Sequence, residues 1–471
     1  MQTKKSTFLH CAVVFIIAFG FRFLPPIGQI TPYGMGILGT FIAAIYGWST
    51  IGMVWPSFIC LTAIGLTIGP NQMIAAGFNG TIISMIFVFL LMAILEETGA
   101  TTWLVNTILG SKFTVGKPWL TLFLLFVAAF IGGVLNSMVM AVVFVGVFTT
   151  LCKNLNMTPF SKLPTCLMLG TALSLLMGQI AIPVMGNALM IMATYNAMFP
   201  EPLNLLKYMA FMIPMGFLMM ATFVCIMRFV LRVDVSPLKN FDPAMFGGKQ
   251  KASRDMKLAM LFFVIYMVLV VLSSIAALGP IAGFLGQFGM FGIIAMVICV
   301  MMLMKKEDGT PLLHFHMSAA KIGWDPVLMV AFIMVISSFM NTAETGISQT
   351  LMGLLMPFTT LSPFVFIVVA LLFAMITTNF ATNLIIIVMV MPVIYNFAGM
   401  VGLNASGLMC LLFISAHLAL ATPAAAPPTG IMMTAKDVIK VGDFSKYAVI
   451  SLPILFAILM LVGIPYSNII F

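Results

Sequence analysis

Apolar stretches of 17 or more residues recur along the whole 471-residue chain, more than any water-soluble core could absorb. Hydrophobic residues make up 62% and charged residues 7% of the chain, and the mean hydropathy is +1.19. The chain therefore reads as an all-α polytopic membrane protein. Its first apolar stretch, about Phe8 to Phe23, follows Lys4 and Lys5. No small-residue cleavage site comes after it, so it reads as a spanning helix and not as a signal peptide.

Hydropathy places spans near 7–24, 33–50, 52–69, 82–97, 164–198, 208–230, 257–279, 281–304, 326–343, 406–436 and 447–470, about 11 in all. Two more apolar segments, 119–151 and 362–398, are too long for one pass and carry a polar tip. They read as re-entrant hairpins that enter and leave on one side. With the N-terminus cytoplasmic, every Lys and Arg except Arg22 and Lys207 falls inside, as the positive-inside rule requires. The net charge of +9 is then accounted for by topology and anionic lipid headgroups in a cell (plasma) membrane, with no need for nucleic acid.

The run Glu97-Thr98-Gly99 returns as Glu344-Thr345-Gly346. Each copy is followed 39 residues later (97 to 136, 344 to 383) by an asparagine at a hairpin tip. After each tip comes a helix interrupted by proline and glycine. Five passes separate the two copies, and an odd number inverts the second. Inverted repeats with interrupted helices imply a secondary transporter whose site lies where the copies meet, with segments 119–200 and 362–436 moving as one elevator-type body past a scaffold built from the remaining spans, 208–230 and 447–470 among them. The expected organisation is scaffold helices over 1–81, a first repeat over 82–231 with hairpin 119–151 and broken helix 164–198, and a cytoplasmic linker over 232–256. Scaffold helices over 257–325 follow, then a second repeat over 326–471 with hairpin 362–398 and broken helix 406–436.

Between Lys117 and Lys153, Lys162 and Glu201, and Glu344 and Lys436 there is no Asp, Glu, Lys or Arg. Proton relays usually need an intramembrane acid or lysine. Here only His417 titrates within those segments, and a lone histidine on an apolar helix reads as a packing residue. What remains is neutral oxygen from amides, hydroxyls and released carbonyls, which suits Na⁺. Half-helix N-termini suit an anion. Glu97 and Glu344 stand at span ends and read as interfacial caps or ion-pair members. The seven cysteines and 44 methionines lack metal-ligand spacing and read as packing residues. Paired aspartates, a metal-spaced histidine cluster and a Ser/His dyad are all missing, so the chain is not expected to be an enzyme.

From Ile30-Thr31-Pro32 to the final helix the chain resembles the divalent anion:sodium symporters, which carry dicarboxylates, tricarboxylates or sulfate. That family has a Ser-Asn-Thr tip on each hairpin. Here the second reads Thr378-Asn379-Phe380-Ala381-Thr382-Asn383-Leu384 and the first Leu135-Asn136-Ser137. The family's Pro-Pro-Asn turn is matched by Pro427-Pro428-Thr429 and roughly by Met185-Gly186-Asn187. The resemblance implies that Asn136, Ser137, Asn187, Thr382, Asn383, Pro427, Pro428 and Thr429 line the substrate. It also implies one Na⁺ at Asn136 with carbonyls near Ile131, Leu135 and Pro183, and a second at Thr378, Ala381 and Asn383 with carbonyls near Ala425. A homodimer is implied as well.

Leu384 and Ala426 replace expected hydroxyls, with Val184 opposite the latter, so fewer donors reach the anion. Leu135 removes a hydroxyl from the first Na⁺ site. A sulfate or other oxyanion transporter, an anion exchanger, an arsenite-type or drug permease and a Na⁺/H⁺ antiporter-like protein are the alternatives.

Overall fold

Polar side chains cap several helix starts: Thr31, Asn79, Asn204, Ser253 and Asn404 each accept from backbone N–H groups of the first turn. A computed structural model describes residues 4–109, 116–155, 157–240, 252–340, 342–357 and 362–471. The expected linker's residues 241–251 and the basic residue Lys112 lie outside that range. The described chain is helical, apart from one isolated bridge between Lys305 and Pro311. It begins with α1 (Lys4–Gly20), α2 (Pro32–Thr50), α3 (Val54–Ile68), α4 (Pro70–Gly77), α5 (Gly80–Glu97) and α6 (Ala100–Leu109). Then come α7 (Pro118–Asn154), α8 (Lys162–Gly178), α9 (Gly186–Met198) and α10 (Leu205–Cys225), the last continuing through a π turn. Next are α11 (Arg254–Ser273), α12 (Pro280–Leu303), α13 (Phe315–Ala319), α14 (Trp324–Met340) and α15 (Ile347–Leu355). The chain ends with α16 (Pro363–Thr377), α17 (Asn383–Val401), α18 (Ala405–His417), α19 (Pro427–Met432), α20 (Val441–Ile458) and α21 (Ile464–Ile470).

Among the described residues seven helices are long and apolar enough to cross a membrane, and six shorter apolar ones accompany them. The repeated Glu-Thr-Gly turns out to be a helix stop. Gly99 and Gly346 take the left-handed backbone (φ 72° and 67°) that ends one helix and starts the connector α6 or α15. Thr98 and Thr345 turn their hydroxyls onto the carbonyls of Ile94 (2.8 Å) and Met340 (2.9 Å).

The 37-residue α7 is a hairpin and not a rod. As one straight helix it would run about 55 Å, well beyond a hydrocarbon core of about 30 Å. Its backbone breaks at Asn136 (φ −158°, ψ 102°). A Cβ placed on Gly132 would lie 3.2 Å from the Met140 Cβ, although residues eight apart in a straight helix stand about 12 Å apart. The arms therefore face each other across Asn136. The second hairpin, α16 and α17, closes in the same way, with the Phe366 and Phe397 rings stacked at 3.7 Å.

Helix packing sorts the molecule into two sets. Helices α1–α5 pack with α11–α14, and α7–α10 pack with α16–α21. Helices α10 and α20–α21 thus belong with the hairpins, although the repeat pattern alone had left the 208–230 and 447–470 spans with the scaffold. The sets meet mainly where α9 lies on α14 and α5, and α6 and α15 bridge them. Within the hairpin set the repeats exchange partners: α19 packs on α7 and α8, while α9 packs on α17.

Helix α8 lies backbone to backbone against the first hairpin arm. A Cβ on Gly133 would sit 2.3 Å from the Leu175 carbonyl oxygen, and one on Gly178 2.0 Å from that of Phe130. Only glycine permits this approach.

Candidate functional site

Both hairpin tips dock onto the break in their own repeat's interrupted helix. At tip 1, Asn136 is a natural helix starter, and its Oδ1 accepts from the backbone N–H groups of Met138 (3.1 Å) and Val139 (3.2 Å). Its Nδ2 donates to Glu96 Oε1, at the end of α5. The next residue, Ser137, donates its hydroxyl to Gln179 Oε1 (2.6 Å), where α8 stops.

At tip 2 the polar atoms turn inward. The Thr378 hydroxyl lies 2.7 Å from the Ala416 carbonyl oxygen and 3.1 Å from Asn383 Oδ1, with Thr378 and Asn383 both buried. One hydroxyl proton cannot fully serve two acceptors, so three oxygens converge, the environment a hard cation takes. Beside them Asn379, 4% exposed, fastens the tip to the break that follows α18. Its Nδ2 donates to Met375 O (2.7 Å) and Leu418 O (3.3 Å), and its Oδ1 accepts from Leu420 N (2.9 Å) and Ala421 N (2.7 Å). Its carbonyl takes the Thr422 hydroxyl. Backbone groups freed by a break inside a membrane need such partners.

The remaining candidates surround these two clusters. Asn187, half-buried, opens α9 just after the left-handed Gly186 (φ 54°). Pro183 is buried in the first break, Ile131 is half-buried on the hairpin arm, and Leu135 is buried one residue before the tip. Ala381 and Thr382 form the half-buried turn of tip 2. Ala425 is buried in the second break, and Pro427 and Pro428 start α19. The Thr429 hydroxyl is directed at the Ala419 carbonyl (2.7 Å), so it closes the break from within. His417 donates from Nδ1 to the Phe413 carbonyl (2.8 Å), a packing arrangement, and its buried Nε2 has no hydrogen-bond partner among the described residues. Glu97 pairs with Lys321 (3.1 Å) and accepts from Ser318 (3.1 Å), while Glu344 is exposed.

Five residues at this site escaped the sequence reading. The hairpins and broken helices are free of acid, but Glu96 brings a carboxylate to tip 1 from α5, a neighbouring element. Asn379 was visible only as part of a motif. Gln179, at the end of α8, and Tyr266 carried no signal. Tyr266 on α11 donates to the Val184 carbonyl (3.2 Å) in the first break. Tyr208 on α10 donates to that of Ile180 (2.6 Å).

The sequence pattern of the family described as CitMHS, citrate transporter, matches residues 12–290, more than half of the chain. The crystal structure of the Alcanivorax borkumensis YdaH transporter, reported to have an unusual topology, aligns over 85% of this chain and 86% of its own. The TM-score is 0.53 at 12% sequence identity, so the likeness is one of fold. No curated protein matches the chain.

Proposed function

The chain belongs to the citrate transporter family CitMHS, a relative of the divalent anion:sodium symporters, and from that premise we propose that this multi-pass membrane transporter carries a small tri- or dicarboxylate. Citrate is the first substrate to test. Na⁺ is the coupling ion in this reading, and the hairpin set of helices moves as an elevator past the other set. The protein sits in the plasma membrane as a homodimer, with its N-terminus in the cytoplasm.

The observation that carries the reading is the pair of tips, each docked on the break of its own repeat while the half-helices α9 and α19 pack against the opposite hairpin. Released backbone groups and neutral side-chain oxygens are thereby gathered at the repeat interface, where an inverted-repeat carrier holds its cargo. The anion is held by Asn136, Ser137, Asn187, Thr382 and Asn383, with the Pro427-Pro428-Thr429 turn beside them. One Na⁺ sits with Thr378, Ala381 and Asn383 and the Ala425 carbonyl, to which the Ala416 carbonyl is added. The other sits by Asn136 with the carbonyls of Ile131, Leu135 and Pro183. No basic side chain reaches either tip among the described residues, so bound cation supplies the charge that offsets the anion.

A thermal-shift panel tests this, because a ligand of the native state raises stability by mass action. Citrate and C4 dicarboxylates should stabilise the protein in sodium buffer and lose most of that effect in choline. Stabilisation by sulfate alone would select the oxyanion reading, and equal stabilisation in choline and sodium would remove sodium coupling.

A further inference from the structure

Among the described residues, two side-chain hydrogen bonds join the α5 and α11 side of the molecule to the hairpin set, and both land on the first repeat's half of the site. Glu96 takes the Asn136 amide, and Tyr266 takes the Val184 carbonyl. Among the described residues Lys321 is ion-paired to Glu97 (3.1 Å), and the hydrogen bond that Glu96 accepts comes from the tip. The group Glu96 occupies, Asn136 Nδ2, is that side chain's donor and so the one a bound carboxylate would need, because Asn136 Oδ1 only accepts, here from the N–H groups of Met138 and Val139.

We propose that Glu96 is a built-in substrate mimic that latches the empty carrier. Without cargo, the scaffold's own carboxylate fills the anion's place at Asn136 and ties tip 1 to α5. A substrate carboxylate that takes the same amide displaces Glu96, and displacement frees the hairpin set to slide. Asn136 Nδ2 carries two N–H donors, but a second carboxylate beside Glu96 would set two like charges on one amide, so substrate binding and Glu96 release are coupled by repulsion. The second repeat has no counterpart: by the repeat spacing (Glu97 to Glu344), position 96 corresponds to Ala343. The latch is therefore one-sided and holds the carrier in the state where tip 1 meets α5. This inference rests on the anion-binding role proposed for Asn136.

The test uses full-length protein in proteoliposomes, with a reporter cysteine at the exposed Met138 in a background without native cysteines. In ligand-free protein, Glu96→Ala should change the alkylation rate of the reporter by at least about threefold, toward the value that Na⁺ plus citrate produces. Citrate affinity should rise about tenfold, the scale of one charge-assisted hydrogen bond. Glu96→Gln, which keeps the shape and an acceptor, should move both readouts in the same direction and covers the case in which Glu96→Ala fails to fold. Glu97→Gln should leave the ligand-free rate unchanged. A ligand-free rate that stays at the parent value in both Glu96 variants overturns the latch. Weaker citrate binding in them overturns the mimicry and makes Glu96 a ligand. If the parent protein binds no carboxylate, the ligand-free rate alone decides the latch, and the failure belongs to the transport reading.

Discussion

Tip 1 and tip 2 share a backbone design and differ in what holds them. Both are turns around an asparagine, Asn136 and Asn383, at equal distance from the repeated Glu-Thr-Gly. Tip 2 is fastened from inside its own repeat by Asn379, whose side chain and carbonyl make five hydrogen bonds to α16 and the second break. Tip 1 has Gly132 at the corresponding position and no such fastening. It leans on Gln179 within the hairpin set and on Glu96 in the other set of helices. On the shared backbone design, single side chains fasten one tip to its own broken helix and tie the other to α5.

The largest effect should come from unfastening tip 2. Asn379→Ala leaves the Leu420 and Ala421 N–H groups and the Leu418 carbonyl buried without it, at about 1–3 kcal/mol for each group. Thermal unfolding of detergent-purified protein should show a loss of at least about 3 kcal/mol. At the tip 1 counterpart, Gly132→Ala removes no hydrogen bond and sets a methyl against the Met140 Cγ (2.9 Å) and Cβ (3.2 Å) of the facing arm, so it should cost about 1–3 kcal/mol, less than Asn379→Ala. Equal losses at the two positions would break the contrast between the tips.

A smaller loss should follow Gly178→Ala, whose added methyl meets the Phe130 carbonyl and pries α8 from the first hairpin arm. About 1–3 kcal/mol is expected in the same assay.

Asn383→Ala removes an amide that serves anion and cation together. Citrate and Na⁺ affinities should fall in parallel by about tenfold, or about 1.4 kcal/mol, read by isothermal titration. Substrate affinity held within about threefold would show that tip 2 does not contribute its amide to the site.

The smallest effect belongs to Leu384→Thr, which restores a hydroxyl at the start of α17. C4 dicarboxylate binding should tighten by about 1 kcal/mol. No change there, together with a silent Ser137→Ala, would show that neither tip faces the anion.

Much of this fold was legible because bilayer length and charge asymmetry act on long segments. Spans such as Pro32–Thr50 and Gly80–Glu97 fall within two residues of their hydropathy limits, and both hairpins and both broken helices stand where polar tips and prolines interrupt apolar runs. The short helices α4, α6, α13 and α15 were not legible, because helices of 5–10 residues leave no span-length signal. The placement of α10 with the hairpins was also hidden, since it depends on which faces pack and not on how apolar they are. At the site, spacing pointed to Asn136 and Asn383 and a motif to Thr378. Glu96 was invisible for the opposite reason: it lies 40 residues from Asn136, outside every segment searched for charge, and becomes relevant only when α5 and the hairpin meet.

The central claim is that the two tips travel together as one body past the other set of helices. Paired spin labels on transport-competent protein test it most directly, with one label on the exposed Phe380 of tip 2 and the other on Phe160 between α7 and α8, or on Trp324 at the start of α14. The account predicts that Na⁺ plus citrate leaves the Phe380–Phe160 distance unchanged and shifts the Phe380–Trp324 distance. A Phe380–Phe160 distance that changes while Phe380–Trp324 holds still would mean that tip 2 opens on its own, and would contradict the account.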